Sequence, residues 1–362
     1  MRSVRGSLPL LTALVFSTLL GPLSCGDVPT GVQSTEWRAI FLFPAYWKPP
    51  PAVAGTPEGV YGIAMVEAEG GERSDVIWKY AGGRLTREYT AGYHNYGEPI
   101  FKGIAFLDDA GWVVGWRWDT GAGGLAAVPV IARRTHGVWA EIPIDDPPAD
   151  RFKEVYAIDD DACWISAYGL HSDDTRRIIK FDRGRFYTVA EGKELVAYAA
   201  TSGYLYAAPT ADASGRRLCV SADGGRFWHE EDATFADLGY GLRFKQAVAA
   251  YDTLYMVFEG TDCGGLAVVT RQGAPGQGVY NLVFFSNVAP GLQTEANFLA
   301  VDRGRVMLVG KETTVVGQDG SWIKEELPLE FRFRCLARAA AGGFWAVAAP
   351  GDGADDELMY HP

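Results

Sequence analysis

The feature that most constrains this chain is a turn that keeps coming back. A Gly followed two residues later by a large apolar side chain occurs at Gly83-Arg84-Leu85, Gly137-Val138-Trp139, Gly184-Arg185-Phe186, Gly225-Arg226-Phe227, Gly278-Val279-Tyr280 and Gly320-Ser321-Trp322, at intervals of 41 to 54 residues. A second element precedes it: an apolar run, an acidic or Gly turn, then an aromatic-led run. Examples are Ile104 to Leu107, Asp108-Asp109 and Trp112 to Val114, then Val155 to Ile158, Asp159 to Asp161 and Trp164-Ile165. Short aromatic and β-branched runs bounded by Gly and Asp are strands, and no segment holds a helical period for three turns. Four strands per unit at a period of about 40–50 residues predicts a β-propeller, in which no sheet can bury both faces without its neighbours.

Counting second strands from Val60–Val66 as the first, through Tyr204–Ala207 as the fourth, to Phe344–Val347 gives seven. The expected fold is therefore all-β: a single seven-bladed propeller of four-stranded antiparallel blades over residues 35–362, with almost no helix and no second domain. The last copy has three strands (Cys335–Ala340, Phe344–Ala348, Glu357–Tyr360). Trp37–Phe43 is an isolated N-terminal strand able to supply the fourth, which would fasten the ring and hide an edge. The 44 Gly residues suit the many tight turns, and the aromatics at strand starts are expected to fill the wedges between blades.

Residues 1–24 read as an export signal. Arg2 and Arg5 form a positive end, and Leu8 to Leu20 an apolar stretch too short to span a bilayer comfortably. The stretch runs into Gly21-Pro22-Leu23-Ser24-Cys25, which resembles a bacterial lipobox, with Pro22 where Leu is usual. That resemblance implies lipidation of Cys25 and anchoring by acyl chains alone, in the cell membrane or outer membrane, on the periplasmic side or the cell surface. Residues 25–34 then form a tether. The net charge of −12, or −14 once Arg2 and Arg5 leave with the signal, disfavours nucleic acid and anionic lipid surfaces as partners.

Ser221-Ala222-Asp223-Gly224-Gly225-Arg226-Phe227-Trp228 matches the Asp-box pattern, in which a carboxylate bonds local backbone N–H groups and a Trp packs beneath them. Gly317 to Trp322 looks like a shortened copy, and the stretch Ile104 to Gly115 is similar to blades of photosynthesis-system assembly-factor-like propellers. The chain thus resembles Asp-box (BNR, sialidase-like) and assembly-factor-like propellers. The resemblance implies a fold, with Ser221, Asp223, Gly225 and Trp228 structural, and carries no activity with it. Sialidases share an Arg triad, a Tyr–Glu pair and a Phe-Arg-Ile-Pro segment. Here the nearest stretch is Phe41-Leu42-Phe43-Pro44, without the Arg.

No other pattern announces catalysis. The five His are scattered, and no Gly-x-Ser-x-Gly elbow or phosphate-cradling loop is present, so no catalytic residue, metal or cofactor is assigned. The carboxylates of Asp108-Asp109 and Asp159–Asp161 fall in equivalent turns and are read as solvated. Of the cysteines beyond Cys25, Cys219 and Cys263 lie in consecutive blades and could pair. Cys163 and Cys335 should be far apart, with Cys335 a buried thiol on an innermost strand. A binding face is expected where loops vary in length: Tyr93, His94, Asn95 and Tyr96 are one candidate, Tyr46 and Trp47 another. The functional expectation is a non-enzymatic interaction scaffold for a protein or peptide at the envelope, with a carbohydrate-binding or carbohydrate-active propeller as the alternative.

Overall fold

The computed structural model describes residues 33–34, 37–44, 46–48, 52–67, 71–91, 100–121, 124–169, 175–210, 217–232, 242–260, 266–286, 298–310, 313–318, 321–326, 331–350 and 355–362. These form seven antiparallel sheets, one per blade, and no helix. Blade 1 consists of Val53–Thr56, Gly59–Glu67, Arg73–Ala81 and Arg84–Thr90, with Trp47–Lys48 adding to the far end of Gly59–Glu67. Blade 2 is Phe101–Leu107, Ala110–Gly121, Gly124–Thr135 and Val138–Glu141, and blade 3 is Arg151–Ala157, Ala162–Tyr168, Arg176–Asp182 and Arg185–Glu191. Blade 4 is Lys193–Ala199, Tyr204–Pro209, Arg217–Ser221 and His229–Asp232, and blade 5 is Leu242–Ala250, Thr253–Gly260, Leu266–Gln272 and Val279–Ser286. Blade 6 is Phe298–Asp302, Arg305–Val309, Thr313–Gln318 and Ser321–Glu326.

Blade 7 is Phe331–Arg338, Phe344–Pro350 and Glu357–His361, completed from the other end of the chain by Arg38–Leu42. Gln33–Ser34, at the end of the expected tether, pairs in parallel with Glu325–Glu326 and covers part of the outer edge of blade 6. The N-terminal segment therefore touches two blades before the first full sheet begins.

The recurring Gly turns join third to fourth strands. At Gly83, Gly137 and Gly184 φ is 80°, 81° and 82°, and the preceding Gly82, His136 and Arg183 are also positive at 57°, 51° and 48°. Two successive positive φ values are what a two-residue hairpin of the type I′ family requires, which is why Gly recurs at the second position. The hydrophobic core is divided in the same way, into seven clusters that each lie across one seam between adjacent blades. Trp112 packs with Phe152 and Phe181 between blades 2 and 3, and Trp37 packs with Met307 and Phe344 between blades 6 and 7. Because each sheet owes its buried faces to both neighbours, the ring stands as a unit.

Candidate functional site

The first strands of the seven blades line a central channel, all starting at the same face, and most begin with an irregularity. In blade 2, Phe101 pairs with Gly115 and Gly103 with Val114, leaving Lys102 as an extra residue. The same one-residue bulge falls at Lys153 in blade 3, Val196 in blade 4, Lys245 in blade 5 and Arg334 in blade 7. A bulge breaks the two-residue alternation and re-aims a side chain. Here the residue before the bulge stays in the seam, with Phe101 and Phe152 fully buried. In three blades the cation that follows is turned to the channel mouth, which Lys102, Lys153 and Lys245 line directly, whereas Arg334 in blade 7 pairs with Asp356 at 3.5 Å. Four of the five bulged positions carry a positive side chain on a chain whose net charge is −12.

The channel has a volume of about 700 Å³. Its walls are small and apolar, including Ile104, Val155, Leu195 and Leu299, so the polar groups concentrate at the mouth. Lys153 Nζ donates to Glu194 Oε1 at 2.7 Å, Arg176 pairs with the other oxygen, and the Tyr168 hydroxyl donates to Oε1 at 3.3 Å. Both cations also sit over the Tyr168 ring, at 5.4 Å and 4.8 Å from its centroid. Glu154 accepts from the Tyr156 hydroxyl at 3.1 Å, and burial with that carboxylate beside it pushes the Tyr156 phenol well above its ordinary range.

An aromatic wall stands next to this cluster. The paired strands Ala110–Gly121 and Gly124–Thr135 run twelve residues each and carry Trp116 and Trp118 on one face, with ring centroids 5.2 Å apart and nearly perpendicular. Lys102 lies over Trp116 at 5.1 Å, and Trp118 remains 36 % exposed. These are exceptions among the tryptophans, most of which fill seams as expected; Trp78 and Trp112 are fully buried.

The residues singled out from sequence are dispersed. Cys25, Tyr93, His94, Asn95 and Tyr96 lie outside the described residues, as do Cys263 and the Asp319-Gly320 turn. Tyr46 is exposed and Trp47 is buried, and both border a hollow at the outer rim. Ser221 to Trp228 forms the third turn of blade 4, away from the mouth. Phe227 N donates to Asp223 Oδ1 at 3.0 Å and the Ser221 hydroxyl to the same oxygen at 2.8 Å, which together hold the carboxyl below its ordinary value. Gly225 N donates to Ser221 Oγ at 2.9 Å, and Trp228 packs against the cluster between blades 3 and 4. Cys163, Cys219 and Cys335 are free buried thiols. Cys335 borders the channel, yet burial pushes its thiol up to about 12, out of the reactive range at neutral pH. Among the described residues no group of three or more His, Cys, Asp or Glu side chains converges on a point.

Sequence reasoning missed the bulge cations although their signal was present. Phe101-Lys102, Phe152-Lys153, Phe244-Lys245 and Phe333-Arg334 are four copies of one aromatic–cation dipeptide. Each lies just ahead of the apolar run by which the first strands are recognised, so it falls at a strand boundary where alternation fails.

No family model matches the chain, and no curated protein matches it. Solved structures do. YCF48 bound to D1 peptide superposes with a TM-score of 0.59 at 14 % identity, covering 91 % of this chain and 98 % of that one. The acylaminoacyl peptidase of Pyrococcus horikoshii gives 0.48 at 11 % identity, covering 85 % of this chain and 51 % of that one. PorZ, a surface component of the type-IX secretion system of Porphyromonas gingivalis, also gives 0.48 at 11 % identity, covering 82 % and 50 %. At 14 % identity the likeness to YCF48 is one of fold.

Proposed function

We propose that this protein is a non-enzymatic scaffold that binds a protein or peptide partner across the mouth of its channel, exported and held at the cell envelope by lipid on Cys25. The carrying observation is the set of bulges that turns Lys102, Lys153 and Lys245 toward the channel mouth of an acidic protein. Cations concentrated at one opening of an acidic molecule create a local field that favours an acidic segment and speeds its approach. The Trp116–Trp118 wall offers an amphipathic surface for apolar side chains of the same segment. That YCF48, of similar fold, is seen with a bound peptide supports the reading. The partner is accordingly an extended stretch with carboxylates interleaved with apolar residues.

The test is direct binding of synthetic acidic and basic peptides to the Lys102→Glu/Lys153→Glu/Lys245→Glu protein. Acidic peptides should lose at least about a hundredfold in affinity, with the loss shrinking as salt screens the field. Undiminished binding of the acidic peptide by the triple variant would refute the reading. Localisation has its own check: Cys25→Ser should move the protein from the membrane to the soluble fraction.

A second reading, carbohydrate binding, draws on a different place. Trp164 and Tyr187 border a hollow of about 470 Å³ beside the Ser221–Trp228 turn, with Lys180 and Asp182 paired at 2.5 Å on one side and Asp223 and Arg226 on the other. Balanced charges around aromatic rings suit a neutral, hydroxyl-rich ligand. Loss of glycan-array signal in Tyr187→Ala, with peptide binding intact, would favour it.

A further inference from the structure

One cation of the bulge series is held away from the channel. Arg334 occupies in blade 7 the bulged position that Lys102, Lys153 and Lys245 occupy in blades 2, 3 and 5. Its Nε donates to Asp356 Oδ1 at 3.5 Å. Asp356 directly precedes Glu357–His361, the third strand of the blade, so the bond reaches across the second strand, Phe344–Pro350. Neighbouring strands lie about 4.8 Å apart, which puts the acid roughly 10 Å outward from the strand that carries Arg334. The guanidinium is thus drawn along the blade, while the three lysines line the opening.

The carboxylate that holds it is poorly supported. Asp356 is buried, whereas 39 % of the Arg334 side chain stays in water. Among the described residues, the single long bond from Arg334 is what the carboxylate receives. Glu194 at the mouth is met by three side chains, and Glu231 at the seam of blades 4 and 5 accepts four hydrogen bonds. Phe43 N, on the closing segment, donates at 2.9 Å to the backbone carbonyl of Asp356 and leaves its carboxylate unaided. The other titratable groups facing Asp356 are Asp355, its neighbour in the chain and a like charge, and Cys335, a buried thiol pushed up to about 12. Burial pushes the Asp356 carboxyl above its ordinary value, and Arg334 opposes this only in part. A desolvated carboxylate with one weak partner takes up a proton early.

We infer that the Arg334–Asp356 pair is a proton-operated latch on the channel mouth, an inference that rests on the reading of that mouth as a reception surface for acidic segments. With Asp356 ionised, Arg334 is neutralised and tied along blade 7. With Asp356 protonated, Arg334 joins Lys102, Lys153 and Lys245 as a fourth cation offered to the partner. Proton uptake leaves the Arg334 charge uncompensated whether or not the side chain swings, so the field at the opening grows in either case. A carboxyl raised above the ordinary value of about 3.9 protonates while carboxylates at ordinary values are still ionised. Mild acid therefore strengthens the mouth before it discharges an acidic partner.

The experiment uses the full chain and a peptide in which cysteic acids alternate with leucines, because sulfonates stay ionised throughout the titration. At neutral pH, Asp356→Asn should bind this peptide about two- to fivefold more tightly than the parent, the worth of one partly exposed charge. The gain should vanish in Arg334→Gln/Asp356→Asn. On acidification from about pH 7 to pH 5 the parent should gain affinity relative to Asp356→Asn and close the gap. The remaining mouth acids are common to both proteins, so the difference between the two profiles isolates Asp356. A readout without peptide follows the Arg334 Nε–Hε resonance in arginine-labelled protein, identified by its loss in Arg334→Gln. It should move when the parent is acidified and should already stand at the moved position in Asp356→Asn at neutral pH. Near-ultraviolet circular dichroism establishes that the variants are folded, and the acidified parent tests the latch without any substitution. A resonance that stays in place in both tests overturns the latch. So does an Asp356→Asn protein that gains nothing while the parent binds and Lys102→Glu/Lys153→Glu/Lys245→Glu does not; the reading of the mouth then stands. Failure of the peptide to bind the parent, with the resonance moving as expected, would instead refute that reading and leave the proton-operated pair in place.

Discussion

Two clusters of the same chemical kind differ in how far they are buried. At the seam between blades 4 and 5, Arg271 is fully buried and meets Glu231 twice, Nε to Oε2 at 3.0 Å and a terminal nitrogen to Oε1 at 2.6 Å. Its other donors reach the carbonyls of Gly273 and Ala274 at 2.6 Å and 2.8 Å, while Glu231 also accepts from Tyr280 at 2.6 Å and Gly276 N at 2.8 Å. At the channel mouth Glu194 likewise meets two cations and a tyrosine, but Lys153 and Arg176 keep 41 % and 34 % of their side chains in water. In the first cluster four Arg271 donations and both Glu231 oxygens are paired inside the protein, and it works as a fastener. The second has donors left facing solvent, so a partner's carboxylate can compete for them. Burial and saturation, rather than residue type, separate a structural ion pair from a reception surface.

The contrast breaks if the seam cluster proves dispensable. Arg271→Met should destabilise the protein by about 3–5 kcal/mol because it strands a buried carboxylate, whereas Arg271→Met/Glu231→Leu should recover much of the loss. Urea unfolding of the three proteins decides this, and a single variant within about 1 kcal/mol of the parent would contradict the fastener role. The seam also carries a pH signature. Burial pushes the Glu231 carboxyl upward, but the hydrogen bonds from Arg271 and Tyr280 more than offset it and hold the group below its ordinary value. A carboxyl with a depressed folded pKa stabilises fully above its unfolded value of about 4.3, and that contribution drains away as pH falls through the folded value. The contribution that the parent draws from this carboxyl should therefore shrink progressively as pH falls below about 4.3, and the double variant should show no such loss.

A second fastener sharpens the comparison. Trp37 is buried across the seam of blades 6 and 7, donates from Nε1 to Thr314 Oγ1 at 3.1 Å and packs on Phe333 at 5.4 Å. Trp37→Ala should cost about 3 kcal/mol through the lost burial and the cavity left behind. It should also loosen the neighbouring Arg38–Leu42 strand, visible as faster amide exchange along Glu357–His361. Exchange that stays slow there would show that the closing strand holds without its anchor. Gly225→Ala comes next at about 1–3 kcal/mol. Its φ is +83°, and an added Cβ would overlap Val189 Cγ1 across the seam to blade 3. Unchanged melting of that variant would mean the turn relaxes freely.

The seven blades and the closing strand could be read from the chain because both rest on local rules that repeat. The two-residue turns at Gly83, Gly137 and Gly184 demand Gly at the same offset, and a wedge-shaped seam demands aromatics at strand starts. The same repetition marks Trp37 to Phe43 as a strand without a sheet. The mouth escaped because it is built from exceptions to alternation. Lys102, Lys153 and Lys245 follow a buried aromatic, and in an unbroken strand Lys102 and Gly103 would take consecutive opposite faces; only the bulge gives the cation its place. Glu231 and Arg271 escaped for another reason: they stand forty residues apart in neighbouring blades, and nothing local distinguishes them from solvated charges. Tyr46 and Trp47 were legible as unusual, but only the structure separates their parts, one ring exposed at a hollow and the other buried as the platform for Arg87.

The smallest change in stability should accompany the largest change in recognition. Lys153 is 41 % exposed, and its bond to Glu194 is shared with Arg176 and Tyr168, so Lys153→Ala leaves the carboxylate partnered. An exposed pair of this kind contributes about 0.2–1 kcal/mol, and the remaining cation recovers part of that, so a shift of no more than about 0.5 kcal/mol is expected. Recognition responds differently, since a charge at an opening acts on a partner before contact. Removing it should lower the association rate for an acidic peptide several-fold and flatten the dependence of that rate on salt, while the dissociation rate moves little. Stopped-flow mixing at two ionic strengths separates these quantities. A variant destabilised as much as the Arg271 protein would place Lys153 among the fasteners, and an unaltered association rate would remove the mouth from the path of the partner.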